Sequence, residues 1–158
     1  MLDITKSKLD IKYDLVICSE VLEHIPDDVT ALRHLAAMTG KHLILSAPQG
    51  RMRRFETREV GHVRNYARGE LAGKLAAAGL VPAQVIEWGF PFYSPLYRDY
   101  LDFTGARGVS GKFGLFRKLI ARAVYGLFWL NSSRKGDEII IVARLRAAPA
   151  ASPGGKTG

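Results

Sequence analysis

The stretch Tyr13–Pro26, which reads YDLVICSEVLEHIP, decides how the rest of the sequence is interpreted. Its apolar run Leu15–Cys18 predicts a strand that is buried on both faces. The run ends at Ser19 and Glu20, and apolar residues with helical spacing begin soon afterwards. A strand, an acidic turn and a helix in this order are typical of the carboxyl edge of a parallel α/β sheet, where such folds bind ligands.

Composition places the chain among globular proteins. Its 158 residues suffice for one domain with its own core, and 47% of them are hydrophobic against 24% charged. The single cysteine, Cys18, excludes an intrachain disulfide and fits a reducing, cytoplasmic compartment. The N-terminal residues lack the apolar segment of a signal peptide, which agrees with that location.

Apolar periodicity predicts three further strands and several helices. The predicted elements are a helix that starts at Pro26, a strand at Leu43–Ala47, a helix at Arg68–Ala78, and strands at Val81–Trp88 and Glu138–Arg146. About fifty residues separate the last two strands, so we interpret Gly89–Gly136 as an insertion with a short helix and an amphipathic helix, Lys112–Leu130. Low complexity predicts that the tail 147–158 is disordered.

Three blocks in this order resemble the class I S-adenosylmethionine-dependent methyltransferases. Asp14–Asp28 resembles the segment around the fourth strand of that family, His42–Pro48 resembles its fifth strand, and Gly61–Tyr66 resembles the segment that follows. The resemblance implies an α/β fold, a partial Rossmann-like sheet of strands four to seven. Their order would be fourth, fifth, seventh, sixth, with an antiparallel seventh strand and helices on both faces. Residues 1–146 would form this partial domain.

The resemblance also implies methyl transfer from S-adenosylmethionine, here to oxygen on a small or lipid-linked acceptor. It assigns Asp3 and Ile4 to the adenine of the cofactor, and Ser19 and Glu20 to its methionine half. No G-x-G-x-G loop follows a strand in this sequence, so the chain looks like a truncated member that binds the cofactor weakly by itself. The insertion would cover the acceptor site.

Two histidines and two glutamates are further candidates for chemistry. His24 and His62 are candidate catalytic bases for an acceptor hydroxyl. The run Glu20-x-x-Glu23-His24 places oxygen and nitrogen ligands within about one helical turn, and His62 completes a set that suits a divalent metal. This arrangement resembles the metal site of small-RNA 2′-O-methyltransferases, so a metal-dependent RNA enzyme is one alternative function.

The net charge of +8 is concentrated in two segments. Six arginines lie between Arg51 and Arg68, and no acidic residue occurs between Asp102 and Asp137. Such segments are either solvated faces or sites for nucleic acid, phosphorylated ligands or anionic lipid. A second alternative function is therefore a non-catalytic module that docks on a membrane or on a partner. The unpaired edge of the first strand offers a third contact, a homodimer through the sheet.

Overall fold

The computed structural model describes residues 2–105 and 114–146, so the predicted tail 147–158 lies outside the described part. Eight main elements follow one another: β1 (Tyr13–Ser19), α1 (Asp28–Met38), β2 (Thr39–Pro48), α2 (Glu70–Ala77), β3 (Leu80–Trp88), α3 (Arg98–Thr104), α4 (Leu115–Phe128) and β4 (Glu138–Leu145). They agree with the predicted elements within a few residues at most ends.

The four strands form one sheet in the order β1-β2-β4-β3. β1 is parallel to β2, and β4 runs antiparallel to both of its neighbours, as predicted. Because β4 is reversed, it starts at the edge where the other three strands end. Glu138, its first residue, is paired with Pro48 at the end of β2 and with Trp88 at the end of β3.

One face of the sheet forms the core together with α1 and α2. Alternate strand residues point to this face and are buried, namely Cys18, Leu43, Leu45, Ala47, Ile139, Ile141 and Ala143. α1 begins at Asp28, two residues after its predicted start at Pro26. The Asp27 side chain caps it by accepting a hydrogen bond of 3.1 Å from the backbone N–H of Thr30.

The opposite face of the sheet is largely open. Leu15 and Ile17 of β1 are 49% and 63% exposed, and Ile44 and Ile140 are half-buried. The prediction that Leu15–Cys18 is buried on both faces was therefore wrong. Its apolar run has the composition of a doubly covered strand, but β1 is an edge strand, and α1 and α2 both lie on its other side. Within the described residues, the second helical layer is not found.

The segment between β3 and β4 is fastened at both ends. The Phe90 N–H donates to the Lys135 carbonyl at 3.1 Å, and the Ser132 N–H donates to the Phe90 carbonyl at 2.8 Å. Gly136 lies so close to the end of β3 that an added Cβ would stand 1.8 Å from the Trp88 carbonyl oxygen. No side chain fits at this position, so the return of the chain into β4 requires glycine.

α4 has the amphipathic pattern expected of it, but it does not bury its apolar side. Phe116, Leu119 and Ile120 are 76%, 57% and 49% exposed. The apolar side of α4 therefore does not pack on the sheet in the described part of the chain. Among residues 2–105 and 114–146, we find no helix with the length and apolar character needed to cross a bilayer.

The substitution Gly136→Ala should lower the free energy of unfolding by more than about 3 kcal/mol, because the new methyl group overlaps backbone atoms that cannot move without breaking the β3–β4 pairing. Urea denaturation measures this change. Gly73→Ala is the matched control, since Gly73 lies inside α2 with no atom within 4 Å of its added Cβ. That variant should be more stable than the natural chain by about 0.5–1 kcal/mol. Equal effects of the two substitutions would contradict the close approach at Gly136.

Candidate functional site

A polar network joins the carboxyl ends of β1 and β2. The Ser46 hydroxyl donates to Glu20 Oε1 at 2.7 Å, so the Ser19 hydroxyl, 2.7 Å from Ser46 Oγ, acts as the donor in that second bond. The backbone of Glu20 has φ of 52°, a left-handed conformation that non-glycine residues rarely adopt. Backbone strain of this kind occurs most often where a side chain must be held for function. The network therefore places both predicted cofactor residues, Ser19 and Glu20, at the edge where a ligand would bind.

A cavity of about 190 Å³ lies at this edge, between the sheet and the segment that follows β3. Its walls come from five parts of the chain: the residue after β1, the end of β2, the 55–62 turn, the 93–101 segment and the start of β4. The chemically useful lining residues are Glu20, Glu56, His62, Tyr93, Tyr97 and Glu138. Tyr93 and Tyr97 form one side of the cavity, and the predicted insertion thus contributes directly to its wall.

Glu138 and Glu20 bring two carboxyl groups to the same cavity. Burial raises the pKa of Glu138 to about 9, and the neighbouring Glu20 carboxylate contributes to the same shift. Two carboxyl groups in this relation retain one proton between them at neutral pH. The pair can consequently attract a cationic group or exchange a proton with a ligand, although its full ionisation is unfavourable.

A second cluster consists of Glu23, His24 and His62, whose ligand atoms lie within 4.8 Å of one another. His24 Nδ1 is 3.1 Å from the Gly61 carbonyl oxygen, so Nδ1 carries a proton and donates it to that oxygen, while Nε2 faces Glu23. The Nε2 atoms of His24 and His62 lie 3.8 Å and 3.9 Å from Glu23 Oε1. Three of the four predicted metal residues are thus brought together. Glu20 does not join them, because its carboxylate is held by Ser46.

The polar atoms at the centre of this cluster lack partners. Glu23 is fully buried, and neither of its carboxyl oxygens has a hydrogen-bond partner among the described residues; the same holds for His62 Nδ1. Burial raises the pKa of Glu23 to about 7 and lowers the pKa of His62, whose imidazole is also disfavoured as a cation by nearby His24. Each buried polar group without a partner lowers the free energy of unfolding by about 1–3 kcal/mol, so this cluster indicates a function rather than a contribution to stability.

Asp3 and Ile4 lie away from this network. They belong to a turn, where Asp3 accepts hydrogen bonds from Thr5, and the Ile4 carbonyl lies 2.7 Å from His34 Nδ1 on α1. The structure shows no strand in residues 2–12. No hydrogen bond in the described residues connects them with Ser19 or Glu20, so their assignment to the adenine stays a prediction.

Most arginines of segment 51–68 form ion pairs with acidic residues of the same chain. Five of the six form ion pairs in the described chain: Arg51 and Arg53 with Asp99, Arg54 with Asp102, Arg64 with Asp28, and Arg68 with Glu87. Arg53 is buried and donates to Asp99 at 2.7 Å. These ion pairs neutralise much of the charge of the segment, while Arg51, Arg54, Arg58 and Arg68 remain exposed to solvent. Arg51, Arg53 and Arg54 connect the segment to the 93–102 region.

Sequence reasoning missed Ser46 and Glu138 as site residues. Both were identifiable in principle, because Ser46 lies near the end of the predicted strand Leu43–Ala47 and Glu138 starts the reversed last strand. Their proximity depends on the pairing partners of β4, which the periodicity of a strand does not reveal. Tyr93 and Tyr97 carried no signal beyond their aromatic character.

Comparison with known proteins rests on structure alone. No family model matches the chain, and no curated protein matches its sequence. A SAM-dependent methyltransferase from Thermotoga maritima matches with a TM-score of 0.56 and 15% identity, over 90% of this chain and 61% of its own. A Bacillus halodurans C-125 protein assigned as a methyltransferase matches with a TM-score of 0.55 and 17% identity, over 90% of this chain and 68% of its own.

The chain has the class I methyltransferase fold. It spans only part of such proteins, between 44% and 68% of the length of eight matched structures. The structure of the cyclase SpnF also matches, with a TM-score of 0.51 and 18% identity, over 93% of this chain and 55% of its own. A class I methyltransferase fold does not decide the reaction by itself, so the reaction must be argued from the site.

The substitution Glu138→Gln should stabilise the protein at pH 8 by about 1–3 kcal/mol. A carboxyl group whose pKa rises from 4.5 to about 9 on folding binds more protons in the folded state between these values, so the natural chain loses stability as the pH rises through that window. The glutamine variant has no such loss. Urea denaturation at pH 5 and pH 8 measures how the free energy of unfolding of each protein changes with pH. Glu59→Gln, at an exposed position, is the control. An E138Q variant that follows the natural chain at both pH values would contradict the buried carboxyl pair.

Proposed function

We propose that this chain acts in methyl transfer from S-adenosylmethionine to an oxygen atom of a small or lipid-linked acceptor. The observation that carries the proposal is the Ser19–Ser46–Glu20 network, which stands at the carboxyl edge of two parallel strands and opens into the cavity. In a sheet of this kind, that edge is where ligands bind. The class I methyltransferase fold supports the same location.

In this proposal the chain's own residues bind and orient the two substrates. S-adenosylmethionine supplies an electrophilic methyl group on a sulfonium leaving group. Glu20 holds the cationic methionine half by charge, since its strained backbone and its bond from Ser46 fix the carboxylate in one place. Tyr93 and Tyr97 exclude water and orient the acceptor in the cavity. Rate enhancement then comes mainly from alignment.

His62 is the candidate base for the acceptor hydroxyl. It lines the cavity, and because its pKa is lowered by burial it is neutral at pH 7, the state in which an imidazole accepts a proton. We assign His24 a positioning role instead, since its Nδ1 is bonded to Gly61 and its Nε2 faces Glu23. The proton from the acceptor oxygen would pass to a ring nitrogen of His62.

Binding of S-adenosylhomocysteine tests the proposal. A complete site that binds at about 1 μM corresponds to roughly 8 kcal/mol, so half of the contacts would leave roughly 4 kcal/mol and a dissociation constant near 1 mM. Saturation-transfer NMR should detect this weak binding to the chain. Glu20→Gln should weaken it about tenfold by removal of the charge, whereas Glu59→Gln should not change it. Absence of saturation transfer from the protein to the ligand at millimolar ligand concentration would favour the alternative of a non-catalytic module.

As an alternative to the role of His62 as a base, we further propose that Glu23, His24 and His62 hold a divalent metal. The unpartnered Glu23 oxygens favour this candidate, and so does His24, which donates its other ring N–H to a backbone carbonyl as metal-bound histidines do. An oxygen and two nitrogens suit zinc or manganese. A bound ion would supply a positive charge beside the cavity. RNA is not part of this proposal, because the arginines that suggested an anionic polymer are paired internally.

Metal binding is measured without any activity. Equilibrium dialysis of the chain with Zn²⁺ should give one ion per chain, and His62→Asn should abolish this stoichiometric binding. His42→Asn is the control, because His42 lies exposed on β2 away from the cluster. Equal zinc binding by both variants, or no zinc binding by the natural chain, would contradict the metal site. Neither result would bear on the methyl-transfer proposal.

A further inference from the structure

The apolar side of α4 is the largest exposed apolar feature in the described part of the segment between β3 and β4. Along α4 and the turn after it, six large side chains are between 43% and 79% exposed: Leu115, Phe116, Leu119, Ile120, Leu127 and Leu130. We call this set the α4 stripe. Leaving so much apolar area in water is unfavourable by about 25 cal/mol per Å², and a contiguous patch of this kind marks a contact surface.

α4 is attached to the body of the protein by its other side. Phe128 packs against Tyr93 and Tyr97, with ring centroids 5.6 Å and 5.3 Å away, and Val124 one turn earlier is half-buried. Leu119 precedes Phe128 by nine residues, which at about 100° per residue places it on the opposite side of the helix. The stripe therefore faces outward.

The charges next to the stripe have a single sign. Lys118 and Arg122 lie on the exposed surface of α4 beside the stripe, and the sequence contains no acidic residue between Asp102 and Asp137. Tyr125 and Trp129 are 69% and 84% exposed at the end of the helix. Aromatic rings with a polar group prefer the boundary between hydrocarbon and water. An outward apolar stripe, flanking cations and terminal aromatic rings together describe a helix that lies in a bilayer interface.

We propose that α4 docks the protein on anionic phospholipid, with the α4 stripe inserted among the acyl chains and Lys118 and Arg122 on the headgroups. A second copy of the chain is a poorer occupant, because it would bring another cationic helix and another net charge of +8 to the same contact. A protein partner would need an acidic rim, and an anionic bilayer supplies that charge over its whole surface.

Docking would also carry the candidate site to the bilayer. Tyr93 and Tyr97 pack against the ring of Phe128, and both also line the 190 Å³ cavity. One layer of aromatic side chains separates the cavity from α4. The membrane contact itself does not depend on methyl transfer, because it is argued from α4 alone. Its failure and the failure of the proposed function are thus separate results.

Vesicle co-sedimentation with the whole chain tests the docking. Vesicles of phosphatidylcholine with phosphatidylglycerol should bind the protein, and vesicles of phosphatidylcholine alone should bind it at least tenfold more weakly. The double variant Lys118→Gln/Arg122→Gln should lose about twenty- to thirtyfold in affinity for the anionic vesicles, at roughly fivefold per charge. Leu119→Ser/Ile120→Ser should lose at least tenfold.

The matched control is Leu9→Ser/Ile11→Ser, two apolar side chains that are 42% and 59% exposed and lie outside α4. It should bind vesicles like the natural chain, and circular dichroism of all variants should show unchanged folding. Equal losses in the control and the α4 variant would overturn the proposal, as would equal binding to both kinds of vesicle. A dimer in sedimentation equilibrium that Leu119→Ser/Ile120→Ser converts to a monomer would also overturn it, because the stripe would then bind a second copy.

Discussion

The reversal of β4 between two parallel neighbours is the constraint on which the candidate site depends. If β4 ran parallel to them, its first residues would lie at the far edge of the sheet. Because it is antiparallel, Asp137 and Glu138 arrive where β1, β2 and β3 end. The close approach at Gly136 allows this return, and no larger residue would fit beside the Trp88 carbonyl. The cavity, the carboxyl pair and the anchor of the 93–102 region all follow from this one arrangement.

Asp137 and Glu23 show two opposite ways of handling buried charge. The Asp137 carboxylate has Arg53 and Arg98 at 3.6 Å each and accepts a hydrogen bond from Ser94. Buried Arg98 is also paired with buried Glu56, so every ion in this region has a counter-ion. Glu23 has two neighbouring imidazoles and no hydrogen bond to its carboxyl oxygens in the described chain. Because the ions around Asp137 are all paired, the unpartnered carboxyl group of Glu23 is a stronger indication of a functional role.

The strand order and the direction of each strand were predicted from the resemblance to class I methyltransferases. The position of Glu20 was predicted from local patterns, namely an apolar run, an acidic turn and a capped helix at Asp27. The open face of the sheet was not predictable in the same way. Residues such as Leu15 and Ile17 satisfy the pattern of a doubly covered strand whether or not anything covers them. The internal pairing of the arginines was also hidden, since Arg53 and Asp99 are distant in sequence. The same uncertainty applied to α4, whose periodicity predicts an apolar face but not what that face contacts.

The internal pairing of the 51–68 arginines has an electrical consequence for the whole molecule. With most of that charge cancelled by nearby acids, the surplus positive charge of the described chain is displaced toward α4 and the turn that carries Arg134 and Lys135. Separated in this way, the charges give the protein a permanent dipole moment. In the field near any negatively charged surface the molecule would rotate before contact and arrive with one preferred orientation.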